Sequence, residues 1–367
     1  MIDLLIVGGG VVGLSLAYDS SAAGLSVRVI DRGQPGCEAS WAGAGILPPA
    51  GDKPTNDPTL ELLRLSNRLH AEWSQRLRDE SGVDNGFRRC GGLYLAHDAA
   101  ERDQLEDAAR QWHEQGVEVE VLGEAELADI EPALELRANT RCYWLRDEAQ
   151  LRNPRHLKAL LAACSRRGVE ISPGVAAEDF RIAAGRIVSV DSTDGPLAAG
   201  QVCITSGPWA KALLERLGVS VNMKPVRGQM VLLCEPRPLL RRIVNDGPRY
   251  LVPRGDGRVL VGSTEEDAGF DKRTTAEAVS GLLDFAVGTV PRLKAAQFER
   301  CWAGLRPATL DGLPYLGPIP GLDNAYVAAG HFRSGLQLSP GTAQVMNQLI
   351  QGVTTTIDLR PFRVERE

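Results

Sequence analysis

The apolar pattern of this chain changes period within its first thirty residues. Ile2 to Val7 is a short, almost unbroken apolar run, the pattern of a strand buried on both faces. From Val11 to Ala23 the pattern predicts a helix, which stops at Gly24, and Leu25 to Ile30 is a second apolar run that closes on Asp31. Strand, helix and strand in so short a stretch predict a βαβ unit. Leu60, Leu63, Leu69, Trp73 and Leu77 give Asp57 to Glu80 an apolar stripe and predict a long helix. Gly91 to Ala96 reads as a strand, Asp98 to Gln115 as a helix, and Glu124 to Leu134 as a short helix broken by Pro132. Asn153 and Pro154 open a capped helix that ends by Gly168.

Short strands follow: Val175 to Phe180, Arg186 to Ser192, Gln201 to Thr205, Gln229 to Cys234, Tyr250 to Pro253 and Arg258 to Ser263, with one helix near Thr275 to Val290. The chain closes with a strand at Ala325 to Ala329, the turn HFRSGLQLSP and a helix to about Ile350. That last unit is expected beside the first βαβ unit, which makes the domain holding both discontinuous.

The turn after the first strand carries Gly8, Gly10 and Gly13 at the G-x-G-x-x-G spacing, and its context is complete: strand before, helix after, second strand ending on an acid about 20 residues beyond. Gly8 makes the tight turn, Gly10 lets backbone approach a pyrophosphate, Gly13 lets helix pack on strand, and the helix N-terminus receives the negative charge. Asp31 has two readings, a solvated residue ending a strand or a carboxylate that accepts from ribose hydroxyls. The second would repel a 2′-phosphate and so favours FAD or NAD over NADP. GCEASWAGAGILPP, from Gly36 to Pro49, is too poor in charge for an ordinary surface loop; it is either a buried turn or backbone that approaches a flat ligand.

With 367 residues the chain has room for two domains, and its net charge of −6 carries no basic stripe for nucleic acid. No apolar run reaches the roughly 18 residues that a membrane span needs, and the N-terminus is strand and glycine turn instead of a signal segment, which points to the cytoplasm. The seven cysteines are scattered without a C-x-x-C pair, as expected for reduced thiols and against a dithiol flavoenzyme; the five histidines have no metal spacing, so no metal is expected.

VGGGVVGLSLAYDSSAAGLSVRVID, ASWAGAGILPP, EAQLRNPRHLKALLAAC, YLVPRGDGRVLVGSTEEDAGFDKR, WAGLRPATLDGLPYLG and AYVAAGHFRSGLQLSP together resemble the D-amino-acid oxidase family of FAD enzymes, and within it the glycine-oxidase branch that serves thiamine biosynthesis. The resemblance covers nearly the whole chain. It implies an α/β (α+β) fold of two domains: a glutathione-reductase-like Rossmann domain for FAD, here expected at 1–85, 146–218 and 300–367, and an antiparallel-sheet substrate domain at 86–145 and 219–299. Besides the three glycines, it places contacts to non-covalent FAD at Val11, Val12, Asp31, Arg32, Ala39, Ser40, Ala44, Gly45, Ile46 and Val175. It puts His331, Phe332, Arg333, Ser334, Gly335, Leu336 and Gln337 along the flavin ring, where the start of the following helix sets positive charge. Cys37 and Cys301 do not fall where related enzymes carry a flavin-linking cysteine.

The substrate side follows from the same resemblance. Arg306 matches a carboxylate-binding arginine, and a planar fork of donors is the best partner for a carboxylate; the other reading is a strand-end arginine paired to a structural acid. Arg333 is a second substrate residue or a brace for its loop, Tyr250 a carboxylate cap or a half-buried aromatic, and His331 a positioner of backbone with no role as a base. Trp41, where the family tends to a small residue, either narrows the site or packs. The implied reaction is oxidative deamination of glycine or a similar small amino acid, with hydride passing from Cα to flavin N5 and oxygen reoxidising the flavin to give H2O2. No acid or base is needed for the carbon–hydrogen step. Partners are then the amino acid and O2, in a homo-oligomer, commonly a tetramer in the family. The rivals are a D-amino-acid or sarcosine oxidase or dehydrogenase, a flavoprotein acting on an aminomethyl group of tRNA, and a module that has lost turnover.

Overall fold

The computed structural model describes residues 2–366; the outermost bounds of the expected first domain, 1 and 367, lie outside them. Ile2–Val7 is the strand foreseen and sits in the middle of a six-stranded sheet. It pairs in parallel with Val27–Asp31 on one side and Ala199–Ile204 on the other. Glu170–Pro173 and Ala325–Ala329 extend the sheet in parallel, and Tyr315–Pro318 closes one edge antiparallel. Burial on both faces explains the unbroken apolar run. Leu4 and Ile6 enter a core with helices Val11–Ala22, Pro58–Ser81, Asn153–Arg166 and Gly335–Ile350. Leu5 and Val7 enter a second core with the ribbon strands Ala177–Ala183 and Arg186–Ser192 and helix Ala210–Arg216.

The long helix Pro58–Ser81 has its cap in the sequence: Asp57 accepts from the Thr59 amide, proline takes the first position, and Gly82 ends it in the left-handed region. Its buried stripe is Leu62, Leu65, Leu69, Trp73 and Leu77, so Leu60 and Leu63 of the expected stripe are only half-buried. The helix turns slightly from the expected face because Ser66 and His70 are buried as well, tied to the carbonyls of the C-terminal helix.

The second sheet has eight strands in the order Gln297–Thr309, Met223–Cys234, Arg258–Gly262, Arg249–Pro253, Ile243–Asp246, Gly92–Ala96, Arg141–Leu145 and Val119–Leu122. All its neighbours are antiparallel except Ile243–Asp246 with Gly92–Ala96. Alternation splits its faces: Val231, Val259 and Val261 lie under helix Ala276–Thr289, while Met230, Val252 and Leu260 face the other way, toward Ala44. The strand Gln297–Thr309 was not foreseen and runs across the division expected at residue 300. It is an edge strand whose apolar pattern is broken by Glu299, Arg300, Gly304, Arg306 and Pro307, and an edge position is where a residue lacking N–H is tolerated.

Between strand and helix at the start of the chain the packing leaves no spare volume. A methyl group on Gly13 would lie 2.0 Å from the Gly8 carbonyl oxygen and 2.6 Å from Thr205 Oγ1. Gly13→Ala must therefore move backbone, and we expect a loss of about 2–4 kcal/mol. Urea unfolding should show a lower midpoint at unchanged slope; an unshifted midpoint would mean that the helix can slide off the strand without cost.

Candidate active site

A cavity of about 640 Å³ opens between the carboxyl ends of the parallel strands and the inner face of the antiparallel sheet. Such crevices are where open α/β sheets bind ligands. Gly8, Gly10, Val11 and Val12 line one end with Asp31 and Arg32, followed by Ala39, Ser40, Ala44, Gly45, Ile46 and Val175; His331 through Gln337, Tyr250 and Arg306 line the rest. Gly13 does not line it. Its close approach to Gly8 makes it a packing residue behind the wall, the part that the motif assigns to its third glycine.

At the first end, Gly10 caps helix Val11–Ala22 without a side-chain bond and no acid stands in the first turn, so the positive helix terminus faces the cavity. The Val11 amide donates to Ser40 Oγ at 2.9 Å. Asp31 is held at its strand end by the amides of Gly9 and Gly33, each at 2.8 Å. Side-chain-free backbone at Gly8 and Gly10, a helix terminus and a strand-end carboxylate together fit a diphosphate and a ribose. Next to them the Arg32 guanidinium lies 3.7 Å over the Trp209 ring, and Trp209 stacks on Phe270. Thr205 to Trp209 belong to this wall and were missed, because their only signal was a strand end whose partner in space lies far away in the chain.

The loop that follows is pinned by Arg254, which is 7% exposed. It donates to the carbonyl oxygens of Ala44 and Leu151 at 2.6 and 3.0 Å, and to Gln150 Oε1 at 2.7 Å. Burial, with Arg152 and Arg88 nearby, pulls its pKa down to about 9. At the other end, Ser334 precedes helix Gly335–Ile350 with no side-chain cap and no acid in the first turn, a second positive terminus on the cavity. His70 Nε2 lies 3.0 Å from the carbonyl oxygens of both Leu336 and Gln337, and Gln337 donates to the Pro48 carbonyl at 2.8 Å. His331 is buried against Thr342, and burial lowers its pKa to about 4, so it is neutral at neutral pH.

Arg306 is half-buried and donates to Ser263 Oγ at 2.8 Å and the Thr264 carbonyl at 3.2 Å. Among the described residues no carboxylate pairs with it, so the reading as a structural ion pair fails. Glycines across the strands make its room. A methyl on Gly228 would lie 2.2 Å from the Arg306 guanidinium, and one on Gly262 would lie 2.6 Å from the Tyr250 ring. Tyr250 Oη reaches Met230 Sδ at 3.3 Å. Arg333 stands differently: its side chain is 55% exposed and paired with Glu265 at the cavity edge. Trp41 does not line the cavity; it packs edge-on against Trp302, whose indole donates to the Ala42 carbonyl. Cys37 lines the cavity, while Cys301 turns to Thr274. Among the described residues no cluster could hold a metal ion, and no helix is long and apolar enough to cross a membrane.

A dinucleotide bed that runs without interruption into a pocket holding an unpaired guanidinium defines a nucleotide-dependent oxidoreductase. The family of FAD dependent oxidoreductases (DAO) matches residues 3–349, and the chain belongs to it; the dinucleotide is FAD. A glycine oxidase of Pseudomonas putida is 35% identical over 99% of this chain and 98% of its own length. The crystal structure of glycine oxidase from Geobacillus kaustophilus superposes with a TM-score of 0.94 at 34% identity, covering 100% of this chain and 98% of that one. The bifunctional protein ThiO/ThiG of Trichormus variabilis is 30% identical over 95% of this chain and 52% of its own length.

Three buried histidines give the site an acid limit. Burial lowers His70 and His331 to about 4 and His156 to about 3, from an ordinary 6.5. The unfolded chain therefore binds more protons below about pH 6.5, and their contribution to stability falls as pH drops from there toward 4. Glu148, pushed up to about 7 by burial, acts with the opposite sign, since its contribution is lost as pH rises through 7. Asp19 and Glu131, also raised by burial, act in the same direction as Glu148, but the three imidazoles stay neutral in the fold across the whole interval, so the urea midpoint of the holoenzyme should be lower at about pH 5 than at about pH 7. Equal midpoints would show that the histidines take up protons without unfolding.

Proposed function

We propose that this enzyme oxidises glycine, or an amino acid of similar size, to its imine with oxygen as electron acceptor. One observation carries the reading: the Arg306 guanidinium stands in the FAD cavity with no acid partner among the described residues, as a receptor for a substrate carboxylate. The glycine oxidases to which the chain is similar along its whole length support the choice of substrate. Bound FAD supplies the two-electron oxidation of the Cα–N bond and the return of the electrons to O2 as hydrogen peroxide.

The protein's own part is orientation. Ser263 and the Thr264 carbonyl fix the Arg306 fork, which binds the carboxylate through two parallel hydrogen bonds. Tyr250 stands beside it as a neutral donor, since burial raises its pKa. Anchoring the carboxylate restricts where Cα can lie, and positioning lowers a barrier most when reacting atoms are brought to about 3–3.5 Å. The helix start at Gly335 sets positive charge on the wall where residues 331–337 would hold the flavin, which would favour a cofactor that gains negative charge on reduction. The neutral His331 shapes this terminus and exchanges no proton. The Arg333–Glu265 pair lies at the mouth, where it neutralises charge along the entry. The imine, or the glyoxylate formed by its hydrolysis, would feed thiazole assembly for thiamine, a placement supported by the resemblance and by the likeness to ThiO/ThiG. On the same footing we place the enzyme in the cytoplasm as a homo-oligomer.

Purified yellow holoenzyme is expected to produce peroxide with glycine, and with sarcosine, D-alanine or D-proline more slowly. Silence toward all four would overturn the reading in favour of another acceptor or another amine. Arg306→Ala should raise the half-saturating glycine concentration about 30- to 100-fold, the cost of losing a charge-assisted bond, at unchanged FAD content. Loss of FAD in proportion would assign Arg306 to the cofactor instead.

A further inference from the structure

Glu148 is fully buried and nothing in the mechanism above uses it. One oxygen accepts from the Tyr94 hydroxyl at 2.6 Å, the other from the Asn245 amide at 3.3 Å. Both partners line the cavity. Gly92 makes the room, for a methyl there would lie 2.3 Å from the carboxyl carbon. The strand register sets these groups in one row with the substrate pocket: Tyr94 is opposite Asn245, Asn245 opposite Tyr250, and Tyr250 opposite Gly262. Directly opposite residues share a face at strand spacings of about 4.8 Å. The two donors to Glu148 therefore share a sheet face with Tyr250 and open, like it, on the cavity that holds Arg306.

Few other charges act on it. Cys90 lies against it with its thiol bonded by Gln150, and the His97–Asp246 pair occupies later positions of the same two strands. Arg146 and Asp147 precede Glu148 in the chain, and Arg146 turns outward to Glu120. Among the described residues no cation pairs with Glu148. Its partners are neutral donors, so the carboxylate is hydrogen-bonded but uncompensated, a state that a proton relieves.

We propose that Glu148, acting through the Tyr94 hydroxyl, is the positioning residue that takes up the proton a substrate ammonium group must lose before oxidation. The inference rests on the amine-oxidation reading above. In the step, an ammonium N–H bond breaks and its proton passes to the Tyr94 oxygen as the hydroxyl proton of Tyr94 passes to Glu148. The amine keeps the electron pair, the tyrosine ends unchanged, and an ammonium and a carboxylate become an amine and a carboxylic acid. Burial serves this exchange twice. It brings Glu148 to about 7, where proton uptake is balanced, and raises Tyr94 well above its ordinary value, so that Tyr94 remains a donor.

The experiment compares kcat/KM for glycine and the rate of anaerobic flavin bleaching against pH in wild type, Glu148→Gln and Tyr94→Phe holoenzymes. Wild type is expected to lose kcat/KM on the acid side with an apparent pKa near 7. Glu148→Gln should remove that limb and lower the plateau about 100-fold, with the flavin spectrum and FAD content unchanged. Tyr94→Phe, which cuts the path and leaves the carboxyl group in place, should lower the plateau similarly and decides the matter if the first variant does not fold. Infrared difference spectra of the resting holoenzyme should show a carboxylic acid titrating near neutrality that Glu148→Gln lacks. An acid limb retained in Glu148→Gln, or a plateau within about twofold of wild type in either variant, would overturn the inference while leaving amine oxidation standing. A wild type inert toward every amine would instead strike the underlying reading.

Discussion

The site depends on the register between strands Met223–Cys234 and Gln297–Thr309. Arg306 lies opposite Val226 and Gly228 opposite Gly304, so that the guanidinium is laid over a glycine in the neighbouring strand and reaches the cavity. A slip of one residue would turn Arg306 to the other face and drive a side chain into its place. The long pairing guards against that, since every position along it would have to break together. The same register carries Met230 opposite both Gly262 and Trp302, which fills the floor beside Tyr250.

Charge in the cavity is arranged by exclusion. Two helix termini without acids, and Arg306 with no carboxylate partner among the described residues, set positive charge on the cavity walls, as an anionic diphosphate and a carboxylate substrate require. The acids nearby have partners: Asp31 accepts from backbone amides, Glu38 pairs with Lys272, and Glu265 pairs with Arg333. Glu148 is the exception, an acid placed behind two neutral side chains.

Much of this was legible along the chain. The strand Ile2–Val7, the glycine turn, Asp31 and the final strand and helix fall where the pattern put them, because a strand buried on both faces and a phosphate-binding turn impose local residue choices. The edge strand Gln297–Thr309 escaped notice because an edge accepts charge, glycine and proline, and so lacks the apolar signal. Gly13 has the packing part that its place in the motif predicts, and the 2.0 Å approach of an added methyl to the Gly8 carbonyl shows how tight that packing is. Trp41 could have narrowed the site, and it is the position of Trp302 that turns it into the interior.

The sequence by itself determined that a dinucleotide lies at the start of the first helix and that the chain carries the residues of an FAD oxidoreductase, since those demands are met by neighbours in the chain. Only the tertiary structure decided that Arg306 has no acid partner among the described residues while Arg333 has Glu265, and that Glu148 is buried behind Tyr94 and Asn245. Charge compensation and burial depend on residues that are distant in the chain and adjacent in space, and no local pattern encodes which of two arginines will be left free.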